Sequence, residues 1–131
     1  MIFVDTGAWF ASVIAEDTDH AAAEEWLAQN GEPLLTTDYV VDELLTLLRV
    51  RGQHKKAVAA GNAILGGAIT SLHFLTHDEF QNAWLVFQRY GDKDWSFTDC
   101  TSKVVMEKQG IVRAFSFDQH FRQFGTVTVV P

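Results

Sequence analysis

Two aspartates lie at the C-terminal ends of predicted strands. Asp5 follows the strand predicted at 2–4, and Asp118 follows the strand predicted at 112–116. In an open α/β sheet, ligands bind just beyond the C-terminal ends of the strands, so both carboxylates stand where chemistry usually occurs. An aspartate between a strand and a helix is also an ordinary helix N-cap, which for either residue alone is the more frequent role. Both interpretations stay open at this point.

Two further acids fall on predicted helices. Ser96 and Asp99 have the spacing of a capping box, and that position also lets a helix N-terminus present an acid towards the strand ends. At about 100° per residue, Glu43 lies roughly 60° from Val40, beside the buried stripe of its helix. Asp42 projects further towards solvent. We therefore expect Glu43, and not Asp42, to reach a neighbouring cleft.

The five histidines are a competing set of ligands. His73 and His77 are spaced like a metal-binding pair, and His120 lies two residues from Asp118. However, residues 73 and 77 straddle a predicted strand-to-helix junction, which separates their side chains. We expect surface or packing roles for the histidines.

The elements that must position these residues alternate along the whole chain between short β-rich runs and helical patterns. This alternation is typical of an α/β fold with a mostly parallel central sheet flanked by helices. With 131 residues, 47% of them hydrophobic, the chain suits a single domain, 1–131, with its own core. Five strands are predicted, at 2–4, 33–36, 70–75, 112–116 and 126–130. Seven helices are predicted, at 8–15, 19–30, 38–51, 53–68, 77–90, 97–109 and 118–124.

Glycines follow several of the helical patterns, where a left-handed C-cap is common. They are Gly31, Gly52, Gly91, Gly110 and Gly125.

The formal net charge of −7 argues against broad electrostatic attraction to nucleic acid, because such binding needs clustered cations. If the substrate is RNA, bound divalent cations or a local basic stretch must offset this charge. That basic stretch consists of Arg49, Arg51, His54, Lys55 and Lys56. Cations near a helix C-terminus also simply complement the helix dipole, so an RNA-contacting role and a helix-end role remain equal alternatives.

The single cysteine, Cys100, cannot form an internal disulfide, which suits a reducing compartment and a cytoplasmic location. As a structural residue it would be a small buried hydrophobe. The first residues lack the basic start and apolar run of a secretory signal, and no apolar stretch is long enough for a membrane span. We expect neither a signal peptide nor a membrane segment.

Taken together, the acids and their neighbours resemble the PIN-domain pattern over nearly the whole chain. The early part of the pattern is Asp5-Thr6-Gly7 followed by the helical Glu43. The most specific parts are the segment 95–100, Trp-Ser-Phe-Thr-Asp-Cys, and the segment 115–121, Phe-Ser-Phe-Asp-Gln-His-Phe. These two segments resemble the VapC toxin branch of the family.

The resemblance implies a parallel sheet with the catalytic and metal-binding acids gathered at one edge. These acids are Asp5, Glu43, Asp99 and Asp118. Asp94 is a further candidate ligand, with a solvated loop acid as an equal alternative, and Thr6 and Ser96 are candidate supporting residues. The cofactor would be Mg²⁺ or Mn²⁺, since such ions prefer oxygen ligands, and an acid cluster without a Cys–His set argues against zinc.

The implied activity is that of a metal-dependent endoribonuclease, the toxin of a type II toxin–antitoxin pair. The implied partners are RNA, a protein antitoxin that covers or fills the active site, and a second copy in a homodimer. Aromatic residues are candidates for these contacts, with core packing as their commoner role. They are Trp9, Phe10, Trp26, Trp84 and Trp95.

Two other functions compete with this interpretation. The first is a non-catalytic PIN-like module that binds a partner; an intact four-acid set argues against it. The second is an aspartyl-phosphate hydrolase with Asp5 as its nucleophile. Such enzymes place a second aspartate two residues later, where this chain has Gly7. A dinucleotide-binding loop is disfavoured because no Gly-x-Gly-x-x-Gly follows the first strand.

Overall fold

The computed structural model describes residues 1–131, which form five strands and seven helices in the predicted order. The strands are β1 (Ile2–Val4), β2 (Leu34–Thr37), β3 (Ser71–His73), β4 (Arg113–Phe115) and β5 (Thr128–Val130). The helices are α1 (Thr6–Val13), α2 (His20–Gln29), α3 (Asp38–Val50), α4 (His54–Leu65), α5 (His77–Arg89), α6 (Phe97–Gln109) and α7 (Gln119–Arg122). None of the helices combines the length and the apolar composition needed to span a bilayer.

The five strands form one sheet in the order β3-β2-β1-β4-β5, and every neighbouring pair is parallel. The predicted parallel sheet is therefore confirmed. β1 lies at its centre and is fully buried. Val4 of β1 pairs with Phe115 of β4, so the residues that follow these strands emerge side by side. The register thus brings Asp5 close to Ser116, although they are far apart in the sequence.

A single cluster of 28 buried hydrophobic residues holds the helices against the sheet. Trp9 and Trp95 belong to it, and Trp26 packs on Phe115 with ring centroids 4.3 Å apart. Trp84, at 47% exposed, is the most accessible of the four tryptophans. Core packing, and not contact with a partner, is therefore the role that the fold gives to most of these aromatic residues.

Several element ends differ from the predicted ones. α1 begins at Thr6, two residues early, because the Asp5 carboxylate caps it. α4 ends at Leu65, three residues early, ahead of Gly67 with its φ of +77°. Left-handed glycines follow α3 and α6, as predicted, but Gly31 and Gly91 do not adopt this conformation. The C-cap residues of α2 and α5 are instead Asn30 and Tyr90, whose φ angles are negative.

Candidate metal centre

Asp5 follows β1 and lies almost fully buried at the C-terminal edge of the sheet, with 5% of its surface exposed. Its carboxylate accepts hydrogen bonds from the Thr6 backbone N–H at 2.7 Å and from the Ser116 hydroxyl at 2.9 Å. Burial raises the pKa of Asp5 to about 7. The hydrogen bond from Ser116 opposes this rise, while the charges of Asp99 and Asp118 add to it.

Ser116 is a residue of this centre that the sequence analysis missed. It is buried, donates to Asp5, and accepts a hydrogen bond of 3.0 Å from the Asp118 backbone N–H. One hydroxyl therefore ties the end of β1 to the turn that follows β4. The only sequence signal was a serine two residues before a strand-end aspartate, a spacing typical of hydroxyl-stabilised turns.

Asp99 combines the two roles that the sequence left open. Its backbone N–H donates to Ser96 Oγ at 3.0 Å, and its own Oδ2 accepts from the Ser96 backbone N–H at 2.9 Å, which completes the predicted capping box. Burial raises the pKa of Asp99, and the charge of Asp118 adds to the rise. The hydrogen bonds from Ser96 and His120 act against it. The capping box of α6 thus fixes the Asp99 carboxylate close to Asp118.

His120 lies within this acidic group. Asp118 caps α7 by accepting the His120 backbone N–H at 2.9 Å. The ring Nδ1 of His120 lies 2.9 Å from Asp99 Oδ2 and 3.4 Å from Asp118 Oδ1. The ligand atoms of these three residues all lie within 4.8 Å of one another, so the group can hold a metal ion. His120 thus makes polar contacts with two of the acids, a position that the sequence analysis did not predict.

His73 and His77 lie on different elements and in different surroundings. His73 ends β3 and bonds to the buried Glu79 at 2.8 Å, whereas His77 is exposed at the start of α5.

Thr6 carries a buried hydroxyl that has no hydrogen-bond partner in the chain. The residue is only 4% exposed and lies next to Asp5. A buried polar group without a partner costs free energy, and such groups are rare in folded proteins. The Thr6 hydroxyl can therefore donate or accept a hydrogen bond beside the acids.

Glu43 is half-buried on α3, whereas Asp42 is exposed, as the helical geometry predicted. α3 packs against α6, the helix that carries Asp99. Even so, the Glu43 carboxylate makes no hydrogen bond or ion pair and is not part of the group within 4.8 Å. Asp5 is not part of that group either, but Ser116 links it to Asp118, and the charges of Asp99 and Asp118 act on it. These three acids therefore lie near one another, and Glu43 lies on a neighbouring helix.

Asp94 is exposed in the loop before α6 and makes no hydrogen bond or ion pair. The neighbouring Trp95 anchors this loop, because its Nε1 donates to Gln123 Oε1 at 2.8 Å and its ring packs on Tyr90 and Phe124. Trp95 thus fixes the loop to the end of α7, and Asp94 projects from it into solvent.

Comparison with known proteins identifies the family to which this arrangement belongs. Residues 2–127 match the sequence profile described as the PIN domain. The chain belongs to the PIN-domain family. The resemblance drawn from the acids and the segments around them is confirmed.

Individual PIN-domain relatives match over their full lengths. The chain is 38% identical over 131 residues to the 23S rRNA-specific endonuclease VapC20 of Mycobacterium tuberculosis, covering 100% of this chain and 99% of the relative. It is 26% identical over 136 residues to ribonuclease VapC26 of the same organism, covering 99% and 100%. The crystal structure of M. tuberculosis VapC20, described as a sarcin-ricin loop cleaving toxin, superimposes with a TM-score of 0.93 at 36% identity, covering 100% of both chains.

The basic stretch of this PIN domain lies away from its acids. Arg49, Arg51, His54 and Lys55 are exposed and Lys56 is half-buried, at the end of α3 and the start of α4. α3 begins at Asp38, on the edge of the sheet that carries the acids, and Arg49 lies eleven residues further along. At about 1.5 Å per residue, this corresponds to a displacement of about 16 Å along the helix.

A cavity of about 710 Å³ opens between α1, α2, β2 and α4, and ten of its fifteen lining residues are hydrophobic. Trp9, Leu44 and Ile64 are among them, but none of the four predicted metal-binding acids is. The acids instead lie outside this cavity, at the C-terminal edge of the sheet, where Asp5 and Asp99 are buried.

Proposed function

We propose that this PIN domain is a divalent-metal-dependent endoribonuclease that hydrolyses RNA phosphodiester bonds and is the toxin of a type II toxin–antitoxin pair. The observation that carries the proposal is the meeting of Asp5, Asp99 and Asp118 at one edge of the parallel sheet. The overall likeness to VapC20 and VapC26, which are named as an endonuclease and a ribonuclease, supports it.

The residues at this edge fit a divalent cation. Three carboxylates share the site, and no lysine or arginine forms an ion pair with any of them. Burial and mutual repulsion raise the pKa of Asp5 and Asp99, an unfavourable arrangement that a bound cation relieves. Carboxylate oxygens and water are the ligands that Mg²⁺ and Mn²⁺ prefer, and the buried Thr6 hydroxyl beside the acids has a free hydrogen-bonding position for a metal-bound water.

In this proposal Asp5, Glu43, Asp99 and Asp118 are the catalytic acids that hold Mg²⁺ or Mn²⁺, with Glu43 reaching the site from α3. The ion, when bound, supplies positive charge for the scissile phosphate and acidifies a water molecule. Asp94 is assigned a solvated position, because it is exposed and unpaired.

The hydrogen bonds within the chain orient the acids before any substrate arrives. The Ser116 hydroxyl and the Thr6 N–H fix the two oxygens of Asp5, and Ser96 and His120 fix Asp99. Such supporting contacts preserve the geometry that a metal site needs. Thr6 and Ser96 therefore act through the carboxylates, as the sequence suggested.

For the substrate, we propose a structured RNA with an exposed loop, since VapC20 is described as cleaving the sarcin-ricin loop. The proposal also includes a protein antitoxin, a homodimer and a cytoplasmic location. Because the net charge is −7, attraction to RNA depends on the bound cations and on local basic residues.

The competing functions make different use of the same residues. An aspartyl-phosphate hydrolase needs Asp5 as an exposed, ionised nucleophile, but burial raises its pKa to about 7 and Gly7 stands where a second acid is required. A purely structural domain has no need to gather three acids without a lysine or arginine to pair with them. Both alternatives are disfavoured by the same cluster.

The deciding experiment is cleavage of an RNA hairpin by the purified chain with Mg²⁺ or Mn²⁺, with chelator, and as the Asp99→Asn variant. Asp92→Asn, which changes an exposed loop acid, is the matched control. We expect cleavage with metal, none with chelator or Asp99→Asn, and normal activity of the control. Cleavage that survives both chelator and Asp99→Asn would rule out the proposed mechanism.

A further inference from the structure

We propose that His120 is itself a ligand of the metal ion and makes this site prefer a first-row transition-metal ion to Mg²⁺. The inference rests on the proposed metal-dependent function and adds a nitrogen ligand to its four acids. It begins from the position of Nδ1, which lies 2.9 Å from Asp99 Oδ2 and 3.4 Å from Asp118 Oδ1.

These separations are those of neighbouring ligands around one ion. With metal–ligand bonds of about 2.1 Å, two adjacent ligands of an octahedral ion are about 3 Å apart. The His120 nitrogen lies at such a distance from both carboxylates, 2.9 Å from Asp99 and 3.4 Å from Asp118, and the ligand atoms of all three residues lie within 4.8 Å of one another. The nitrogen thus occupies a ligand position and not a more distant supporting one.

The fold holds the imidazole in this place. The backbone N–H of His120 donates to Asp118, and the next residue, Phe121, is completely buried between Phe3 and Phe124. The Phe121 ring lies 6.0 Å from the Phe3 ring and 4.8 Å from the Phe124 ring. Because this anchor fixes α7 on the core, the His120 side chain is directed at Asp99 by packing.

A nitrogen in the ligand set changes the choice of metal. Mg²⁺ is a hard cation that takes oxygen ligands, whereas imidazole nitrogen suits the transition-metal ions. With oxygen ligands alone the site offers Mg²⁺ an ordinary environment. With His120 bound through Nδ1, a transition-metal ion gains an interaction that Mg²⁺ does not, so Mn²⁺ should bind in preference to Mg²⁺.

The alternative is that His120 only positions Asp99 by donating a hydrogen bond. A glutamine side chain can also donate a hydrogen bond, but it has no imidazole nitrogen. His120→Gln therefore restores a positioning role and does not restore nitrogen ligation, while His120→Ala removes both. His77→Gln, at an exposed position on α5, is the matched control.

The test uses the full chain with Mn²⁺ as the probe, measuring its affinity by electron paramagnetic resonance, alone and in competition with Mg²⁺. Pulsed measurements of the bound Mn²⁺ report coupling to a ligand nitrogen directly. We expect nitrogen coupling in the parent and in His77→Gln, and none in either His120 variant. Mn²⁺ affinity should fall at least about tenfold in both His120 variants, with a much smaller change for Mg²⁺.

Each other outcome has a definite meaning. Mn²⁺ bound without nitrogen coupling, or equal losses for Mn²⁺ and Mg²⁺ that His120→Gln restores, overturns the ligand assignment and leaves the proposed nuclease function standing. If the folded parent chain binds neither ion, the metal centre itself is wrong, and both proposals fail. Thermal melting of each variant shows that a lost signal does not come from unfolding.

Discussion

The Ser116 hydroxyl donates a hydrogen bond of 2.9 Å to Oδ2 of Asp5, across a sequence separation of 111 residues. The contact exists because Val4 and Phe115 pair in register at the ends of β1 and β4. The same hydroxyl accepts a hydrogen bond from the Asp118 backbone N–H, so one serine positions two of the proposed metal ligands.

Ser116→Ala should weaken metal binding by about 10–100-fold, the usual cost of removing a contact that orients a metal ligand. Without this hydrogen bond, one influence that lowers the pKa of Asp5 is lost, so the carboxyl holds its proton more tightly. Titration calorimetry with Mn²⁺ measures the effect. Ser71→Ala, at an exposed position on β3, should bind Mn²⁺ normally. An unchanged affinity in Ser116→Ala would show that Asp5 needs no such support.

Glu43→Gln should abolish metal-dependent cleavage, and Asp42→Asn should leave most of it. Glu43 is half-buried on the side of α3 that borders the core, whereas Asp42 is exposed, and the two substitutions remove the same charge from the same helix turn. Single-turnover cleavage of an RNA hairpin distinguishes them. Equal loss of activity in both variants would contradict the assignment of Glu43.

Sequence reasoning located the parts of this centre that depend on local structure. Asp5 and Asp118 follow strands and Asp99 completes a capping box, so periodicity and spacing placed them at strand ends and at a helix N-terminus, and the family resemblance singled them out as candidate ligands. Ser116 and His120 depend on tertiary structure instead: the first needs the register of β1 with β4, and the second needs α7 to be anchored on the core. Neither relation leaves a periodic pattern in the sequence.

The basic stretch was located correctly on its helices, but its distance from the acids could not be read from the sequence.

Replacing Arg49, Arg51, Lys55 and Lys56 by glutamine should weaken RNA binding uniformly across sequences and flatten its dependence on salt, if these residues contact phosphates. Because Arg49 lies about 16 Å along α3 from the edge that carries the acids, Mn²⁺ affinity should not change. Binding assays over a range of salt concentrations give the slope. A slope equal to that of the parent would return these residues to their helix-end role.

Glu79 provides a structural carboxylate for comparison with the acids of the site. It is 1% exposed and accepts hydrogen bonds of 2.8 Å from the Thr76 N–H and from His73 Nε2. Burial alone would raise its pKa, but these hydrogen bonds outweigh burial and the pKa is lowered. Glu79 therefore stabilises the fold above its unfolded pKa of about 4.3, and this contribution is lost as the pH falls through the lower folded value.

Glu79→Gln should accordingly destabilise the chain at neutral pH, by about 1–3 kcal/mol, because a buried, charged acceptor of two hydrogen bonds is replaced by a neutral amide. The loss should shrink on acidification, when the parent carboxylate is protonated as well. Urea unfolding at neutral and acid pH measures both values. A loss that does not depend on pH would mean that the charge of Glu79 contributes nothing.

Asp5 should show the opposite dependence on pH. Its pKa is about 7 in the folded chain against 3.8 for an ordinary aspartate, so between these values the folded state binds more protons than the unfolded state. Linkage then requires the unfolding free energy of the metal-free chain to fall as the pH rises from about 4 to about 7, by on the order of 4 kcal/mol in total.

Asp5→Asn keeps a good N-cap and cannot ionise, so this fall should be absent from its unfolding free energy. In chelator at about pH 8, above the folded pKa, Asp5→Asn should therefore be more stable than the parent, while its cleavage activity and its stabilisation by Mn²⁺ are lost. Urea unfolding of both proteins in chelator across this pH range gives the difference directly. A difference that stays constant from about pH 4 to about pH 8 would show that Asp5 ionises normally and that the acids do not share a crowded site.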